Sequence, residues 1–230
     1  MYRNLDAGKI VDTAATLRDR IGERFPSSSL LKVAEELLAT SRHAAGTSAW
    51  LARPNVGLRV LVVLLLLLLV GVLFGAMSSL RMEPGFVNLS DLFQGLEAAV
   101  NDVVFVGLAV FFLLTLERRH KRRRALAAIH ELRSLAHVVD MHQLTKDPAR
   151  LTATGSDTAA SPPRTMSPFE LTRYLDYCSE LLAVISKVAA LHVQRFQDPV
   201  TMAAVDQVES LAAGLSRKIW QKIMILDRPR

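Results

Sequence analysis

Residues 60–77 read VLVVLLLLLLVGVLFGAM, and no charged or strongly polar side chain interrupts them. A helix that packs on the surface of a water-exposed core needs a polar face, and this stretch has none. At ~1.5 Å per residue it would extend roughly 27 Å, close to the ~30 Å thickness of the hydrocarbon region of a bilayer. The stretch therefore predicts a membrane-spanning helix over residues 60–77.

A second apolar stretch predicts another span over residues 98–116. Its charge-free core is only 14 residues long, so the span has to include Asn101 and Asp102 near one end. A charge costs ~3 kcal/mol at the centre of a spanning helix but much less near the headgroups. Pro84-Gly85 interrupts the chain between the two stretches and predicts a turn. Residues 58–116 are therefore interpreted as a two-span transmembrane hairpin.

The charges around the two stretches predict how this hairpin is oriented. The run ERRHKRRR at residues 117–124, here called the basic run, directly follows the second stretch, whereas the turn carries only Arg81 against several acidic residues. Because Lys and Arg are enriched in cytoplasmic loops, both termini are expected in the cytoplasm, in a bacterial inner membrane. The residues expected to anchor the chain at lipid headgroups are Arg118, Arg119, Lys121, Arg122, Arg123 and Arg124.

The formal net charge of +6 does not indicate a nucleic-acid-binding protein, because the excess is confined to the basic run. A nucleic-acid surface would also need interleaved aromatic residues or a recognition fold, and the sequence shows neither. Cys178 is the single cysteine, which excludes an intrachain disulfide and a cysteine-based metal site. Neither a nucleic-acid partner nor a cofactor is expected.

The rest of the chain has helical periodicity, so the predicted fold class is all-α. Residues 1–45 predict a cytoplasmic helical hairpin with helices over residues 7–24 and about 30–42. A linker is expected from Gly46 to Gly57. Residues 117–147 predict a basic helical stalk that continues the second span, and residues 148–167, rich in Ala, Thr, Ser and Pro, predict a flexible linker.

Residues 168–227 predict a second cytoplasmic hairpin. Apolar residues in both of its helices recur at alternating spacings of four and three, which is a coiled-coil pattern. The first seam comprises Leu171, Leu175, Cys178, Leu182, Ile185, Ala189, His192 and Phe196. The second comprises Val205, Val208, Ala212, Leu215, Ile219 and Leu226, with Lys222 or Ile223 filling the remaining position. These seams are expected to pack the two helices against each other.

Two glycines in the first apolar stretch form a G-x-x-x-G pattern at Gly71 and Gly75. Glycines at this spacing lie on one helix face and allow another helix to approach closely. Glycine is also common in membrane helices without any such role. The pattern is interpreted as a packing face, and its partner is either the second span or another chain.

A polar stripe on the stalk supplies the candidate metal ligands His130, His137 and Asp140. Together with Arg133 they follow spacings of three, four and three, which place them on one helix face. The spacing matches no established ligand motif, and Arg133 would repel a cation. A polar helix contact or a pH-sensitive interface is therefore preferred over a metal site.

Three functional hypotheses remain. The preferred one is an inner-membrane interaction or scaffold protein that is not an enzyme, because the sequence has no phosphate-binding glycine loop, serine-nucleophile elbow or paired-carboxylate signature. The alternatives are an oligomeric two-span pore or signalling effector, and a metal-dependent enzyme using the polar stripe. A homo-oligomer that associates through its cytoplasmic helices is expected, since isolated two-helix hairpins seldom bury enough apolar surface to offset their conformational entropy. A protein partner of the hairpins is the other option.

Overall fold

A computed structural model describes residues 4–54, 56–79, 89–148, 159, 161 and 165–227. Within these ranges the chain forms six α-helices and no strand, which confirms the all-α prediction. The helices are α1 (Ala7–Arg24), α2 (Ser29–Ala52), α3 (Val56–Ser79), α4 (Leu89–Leu144), α5 (Pro168–Leu191) and α6 (Pro199–Leu226). The predicted turn around Pro84 and most of the predicted linker 148–167 lie outside the described residues.

The chain divides into two compact units. The first unit, here called the helical domain, comprises residues 1–53 and 122–230, and the second comprises residues 54–121. The first part of α4 belongs to the second unit and the remainder belongs to the helical domain.

Local capping signals set where the helices of the helical domain begin. The Asp6 carboxylate accepts hydrogen bonds from the backbone N–H groups of Gly8 and Lys9 at 2.9 and 3.2 Å, so α1 begins at Ala7. Ser167 and Glu170 form a reciprocal capping box at the start of α5. Both α5 and α6 carry proline in the first turn, where the missing N–H group costs nothing.

Helix α2 continues beyond the predicted end at Arg42, through part of the expected linker, to Ala52. Gly46 inside the helix costs about 1 kcal/mol relative to alanine. Burial on both sides of Gly46 offsets this cost, because Ala44 and Leu51 are almost fully buried. The helix ends where Arg53 adopts an extended backbone before Pro54.

The helical domain has one hydrophobic core, to which α1, α2, α4, α5 and α6 all contribute. Helix α5 packs against α1, α2 and α6. The segment predicted as a basic helical stalk buries Ile129, Leu132, Ala136 and Val139 in this core. The two predicted hairpins and the stalk are therefore parts of a single unit, in which each apolar face covers the others.

The C-terminal hairpin buries the residues of both predicted seams except the last one of each. In α6 that last residue, Leu226, is half-buried. Every first-seam residue from Leu171 to His192 is buried, but α5 ends at Leu191, which leaves Phe196 half-buried beyond the helix. In α6 the open seam position is filled by Ile223. Lys222 instead donates hydrogen bonds to the carbonyl groups of Gln143 and Lys146 at 2.7 and 3.1 Å, where a cation suits the C-terminal end of α4.

The predicted two-span hairpin is not supported by the structure. Within the described ranges, no helix combines the length and the apolar character that are required to cross a bilayer.

Candidate functional site

The second unit exposes large apolar side chains along α3 and α4. Each of the following is between 49% and 75% exposed: Val60, Leu61, Val63, Leu64, Leu67, Leu68, Val70, Phe74, Val100, Val103, Val104, Phe105, Leu108, Phe111, Phe112 and Leu114. Near-consecutive positions such as Val63, Leu64 and Leu67 point in different directions around a helix of 3.6 residues per turn. The exposed apolar positions of α3 therefore cover more than half of its circumference, and Val62, which is 8% exposed, lies on the opposite side.

The polar end of this unit is closed by ion pairs. Arg59 Nε, just before the apolar stretch of α3, lies 2.8 Å from Glu117 Oε2, just after the apolar stretch of α4. Glu117 Oε1 also lies 3.0 Å from Lys121 Nζ, one helical turn later. Because the pair joins residues far apart in sequence, the two apolar stretches have their charged flanks at the same end of the unit.

The six cations of the basic run do not share one role. Lys121 is buried and paired with Glu117, and Arg122 is paired with Asp198. The guanidinium carbon of Arg119 lies 5.1 Å from the ring centre of Phe112. The remaining residues of the prediction are exposed: Arg118, Arg123 and Arg124, the last with its guanidinium carbon 4.7 Å from the ring centre of Trp50.

The Arg122–Asp198 pair joins α4 to the start of α6 inside the helical domain. Arg122 Nε and Nη2 donate to the two carboxylate oxygens at 2.9 and 2.7 Å, and this pairing raises the pKa of Arg122. The Asp198 side chain is completely buried and also accepts from the backbone N–H and hydroxyl of Thr201, both at 3.2 Å. One carboxylate thus caps α6 and neutralises a cation of the basic run.

His192, at the C-terminal end of α5, is the most unusual polar group in the core. It is 1% exposed, and neither ring nitrogen has a hydrogen-bond partner among the described residues. Burial, reinforced by nearby His43, lowers its pKa from 6.5 to about 4. A helix C-terminus normally favours protonated histidine, so here the loss of hydration outweighs the helix dipole.

The candidate metal ligands lie on the solvent side of α4. His130 and His137 are exposed, whereas Asp140 is half-buried and accepts a hydrogen bond from the Gln143 amide at 2.7 Å. The described residues contain no group of three His, Cys, Asp or Glu side chains that could hold a metal ion. The stripe faces away from the core, because other positions of α4, among them Leu132, Ala136 and Val139, are the buried ones.

Other predicted positions are resolved only in part. An added Cβ atom at Gly71 would meet nothing within 4 Å, so the described part of this chain packs nothing closely against it. The environments of Gly75 and Asp102 lie outside the described side chains, and Asn101 is exposed. Cys178 is completely buried, and burial raises its thiol pKa to about 12. It is therefore a core residue and not an activated nucleophile.

Sequence reasoning missed Asp198 as the partner of Arg122.

Comparisons with protein-family models, with curated proteins and with solved structures found no match to this chain.

Proposed function

We propose that this chain is an integral inner-membrane interaction or scaffold protein. In this proposal residues 60–77 and 98–116 cross the bilayer as a hairpin, and the helical domain is held at the membrane surface. The single observation that carries it is the broad exposed apolar surface of α3 and α4 in the second unit. So much exposed apolar surface on two helices is unfavourable in water and favourable in lipid.

The Arg59–Glu117 ion pair supports the hairpin form of this proposal. Charged flanks at the same end of both stretches are what a two-span hairpin needs, because both of its ends then meet the same headgroup layer. The exposed cations Arg118, Arg123 and Arg124 would stand at that layer, each contributing about 1 kcal/mol of attraction to anionic lipid. The excess of Lys and Arg at this end favours a cytoplasmic location for both termini.

Cysteine accessibility tests the orientation, because the native Cys178 is buried and its thiol is unreactive near neutral pH. A cysteine is introduced by Ser79→Cys, in the proposed periplasmic turn, or by Ala213→Cys, at an exposed position of α6. A membrane-impermeant maleimide should label the first variant in intact spheroplasts. It should label the second only after the membrane is permeabilised.

Two outcomes would overturn the proposal. If Ala213→Cys were labelled in intact spheroplasts as readily as Ser79→Cys, the predicted orientation would be wrong. If alkaline carbonate released the unmodified chain from membranes, it would not be membrane-integrated at all.

We also propose that self-association uses the membrane segment rather than the helices of the helical domain. The apolar faces of those helices cover one another in a single core, so they no longer require a second copy. Around Gly71, in contrast, no atom of the described residues lies within 4 Å of the position of an added Cβ, so a close helix contact would fit there. Native mass measurement in detergent should show that Gly71→Leu reduces the oligomer. Gly107→Leu, also in open space but without a glycine four residues away, should not.

An oligomer that survives Gly71→Leu, or one that dissociates equally in both variants, would remove this glycine from the contact. A monomer for the unmodified chain across a hundredfold dilution, roughly a 2.7 kcal/mol range, would remove the self-association proposal itself.

A further inference from the structure

A charged cleft lies in the helical domain, between the last turns of α1 and the first turns of α5. Its volume is about 520 Å³, which is within the range of small-molecule sites. The cleft is lined by Arg20, Glu23, Arg24, Glu170, Arg173 and Tyr177. We propose that this cleft binds a small organic phosphate through its three arginines.

Aromatic rings hold the three guanidinium groups in place. The guanidinium carbons of Arg20 and Arg173 each lie 5.3 Å from the ring centre of Tyr177. Tyr177 is itself fixed, because it is 3% exposed and makes an edge contact with Phe25 at 6.2 Å. Arg24 stands over Phe169 at the same distance of 5.3 Å. Cation–π contacts of this kind restrict the arginine rotamers before any ligand arrives.

The arginines retain unused hydrogen-bond donors. Each guanidinium carries five N–H groups. Arg20 uses its two terminal nitrogens toward Glu180 at 2.7 and 3.3 Å, and Arg173 uses one toward Asp176 at 3.0 Å. Arg24 donates no hydrogen bond to any described residue. The cleft thus offers donors beyond those that its own carboxylates accept.

The carboxylates decide which anion fits. Glu170 is committed to the helix cap, since the Ser167 backbone N–H and hydroxyl both donate to its Oε2 at 2.8 Å, and these bonds lower its pKa. Glu23 is exposed at the edge of the cleft and would repel an incoming anion. Arginine forks match the oxygens of a phosphate group, which presents several acceptors to donors arriving from different directions.

Phe169 suggests the organic part of the ligand. Its side chain is 62% exposed and lies beside Arg24. An exposed aromatic ring next to a phosphate-binding cation allows a planar group on the ligand to stack on it. The preferred ligand therefore carries a phosphate and an aromatic ring, for which phenyl phosphate is the simplest probe.

Isothermal titration calorimetry of the full chain in a neutral detergent tests this proposal, with inorganic phosphate and phenyl phosphate as the titrants at constant ionic strength. Phenyl phosphate should bind more tightly than phosphate. Arg24→Gln and Arg173→Gln should each weaken its binding by about tenfold or more, the loss expected when a charge-assisted hydrogen bond is removed. Glu23→Gln should strengthen binding, because it removes a like charge without removing a donor.

Arg217→Gln is the matched control, because Arg217 is an exposed arginine on α6 and does not line the cleft. Equal weakening in Arg217→Gln would show non-specific attraction and overturn the proposal. If neither probe bound, the proposal would be overturned as well. Weaker binding of phenyl phosphate by Glu23→Gln than by the unmodified chain would also overturn it. Far-UV circular dichroism confirms that each variant is folded. If Arg173→Gln is not folded, the test rests on Arg24→Gln, because Arg24 forms no ion pair with a described residue.

Discussion

Protonation of His192 should make the stability of the helical domain depend on pH. The imidazole is almost completely buried at the end of α5, and its two nitrogens have no hydrogen-bond partner among the described residues. The titratable group that acts on it is His43 of α2, whose electrostatic effect also disfavours a proton on His192. A proton on His192 would therefore be a buried charge without compensation.

The lowered pKa of His192 sets how much the free energy of unfolding changes with pH. A fall from 6.5 in the unfolded chain to about 4 in the folded one corresponds to about 3 kcal/mol. Since the unfolded chain takes up the proton first as the pH drops, the full stability is present above pH 6.5. It is lost progressively between that pH and about pH 4. By pH 5 the loss should be about 2 kcal/mol.

The assay is urea-induced unfolding of the full chain in detergent, followed by far-UV circular dichroism between pH 8 and pH 5. The free energy of unfolding is compared with that of His192→Leu at each pH, so that carboxylates that titrate in both proteins cancel. The difference between the two proteins should change by about 2 kcal/mol across this range. His137→Leu, which alters an exposed histidine of α4, should leave the pH dependence of the unmodified protein in place.

A parallel pH dependence of His192→Leu and the unmodified chain would refute the reasoning. It would mean that His192 can be solvated or paired when protonated, and that the core opens around it at little cost.

Three further predictions concern the same domain. Leu182→Asp, at a completely buried seam position, should reduce the free energy of unfolding by roughly 4 kcal/mol or more. Ala183→Asp, at the neighbouring exposed position, should change it little. Equal melting temperatures of the two variants would disprove the seam. Asp198→Asn should lower the free energy of unfolding by about 1–3 kcal/mol. In urea titrations, the double variant with Arg122→Gln should lose less than the sum of the losses in the two single variants. Simple additivity would show that the pair is not coupled. The Cys178 thiol, whose pKa burial raises to about 12, should react with a maleimide at pH 8 only after urea unfolding, and labelling of the folded chain would contradict its burial.

The parts of the fold that sequence predicted well are those set by local signals. The bounds of α1 agree with the prediction, and α4 ends at Leu144, three residues before the predicted end of the stalk. The seams of the C-terminal hairpin also agree, because burial repeats with helical periodicity and needs no knowledge of the partner. The end of α2 did not agree, because Gly46 is a local signal for a linker, whereas burial of Leu51 beyond it favours continuation of the helix.

Contacts between segments that are far apart in sequence could not be predicted from such local signals. Arg20 meets Glu180 and Tyr177 only because α1 packs on α5, and no pattern in either segment names the other. The assembly of both hairpins and the stalk into one core has the same cause. Three apolar faces were visible in the sequence, but their mutual burial could not be distinguished from burial against other chains.

The periodicity of α4 could have predicted which cations of the basic run face the core. Its buried positions, Ile129, Leu132, Ala136 and Val139, recur at spacings of three and four. Extended toward the N-terminus, the same register passes Ala125, which is completely buried, and reaches Lys121 or Arg122. A run of eight residues covers more than two helical turns, so part of it has to face inward. A cation at an inward position needs a carboxylate partner. Glu117, on the same helix, supplies one to Lys121, and Asp198, already needed to cap α6, supplies one to Arg122. The register of α4 therefore predicts carboxylate pairing for the inward cations of the run, and headgroup anchoring stays a prediction for the exposed ones.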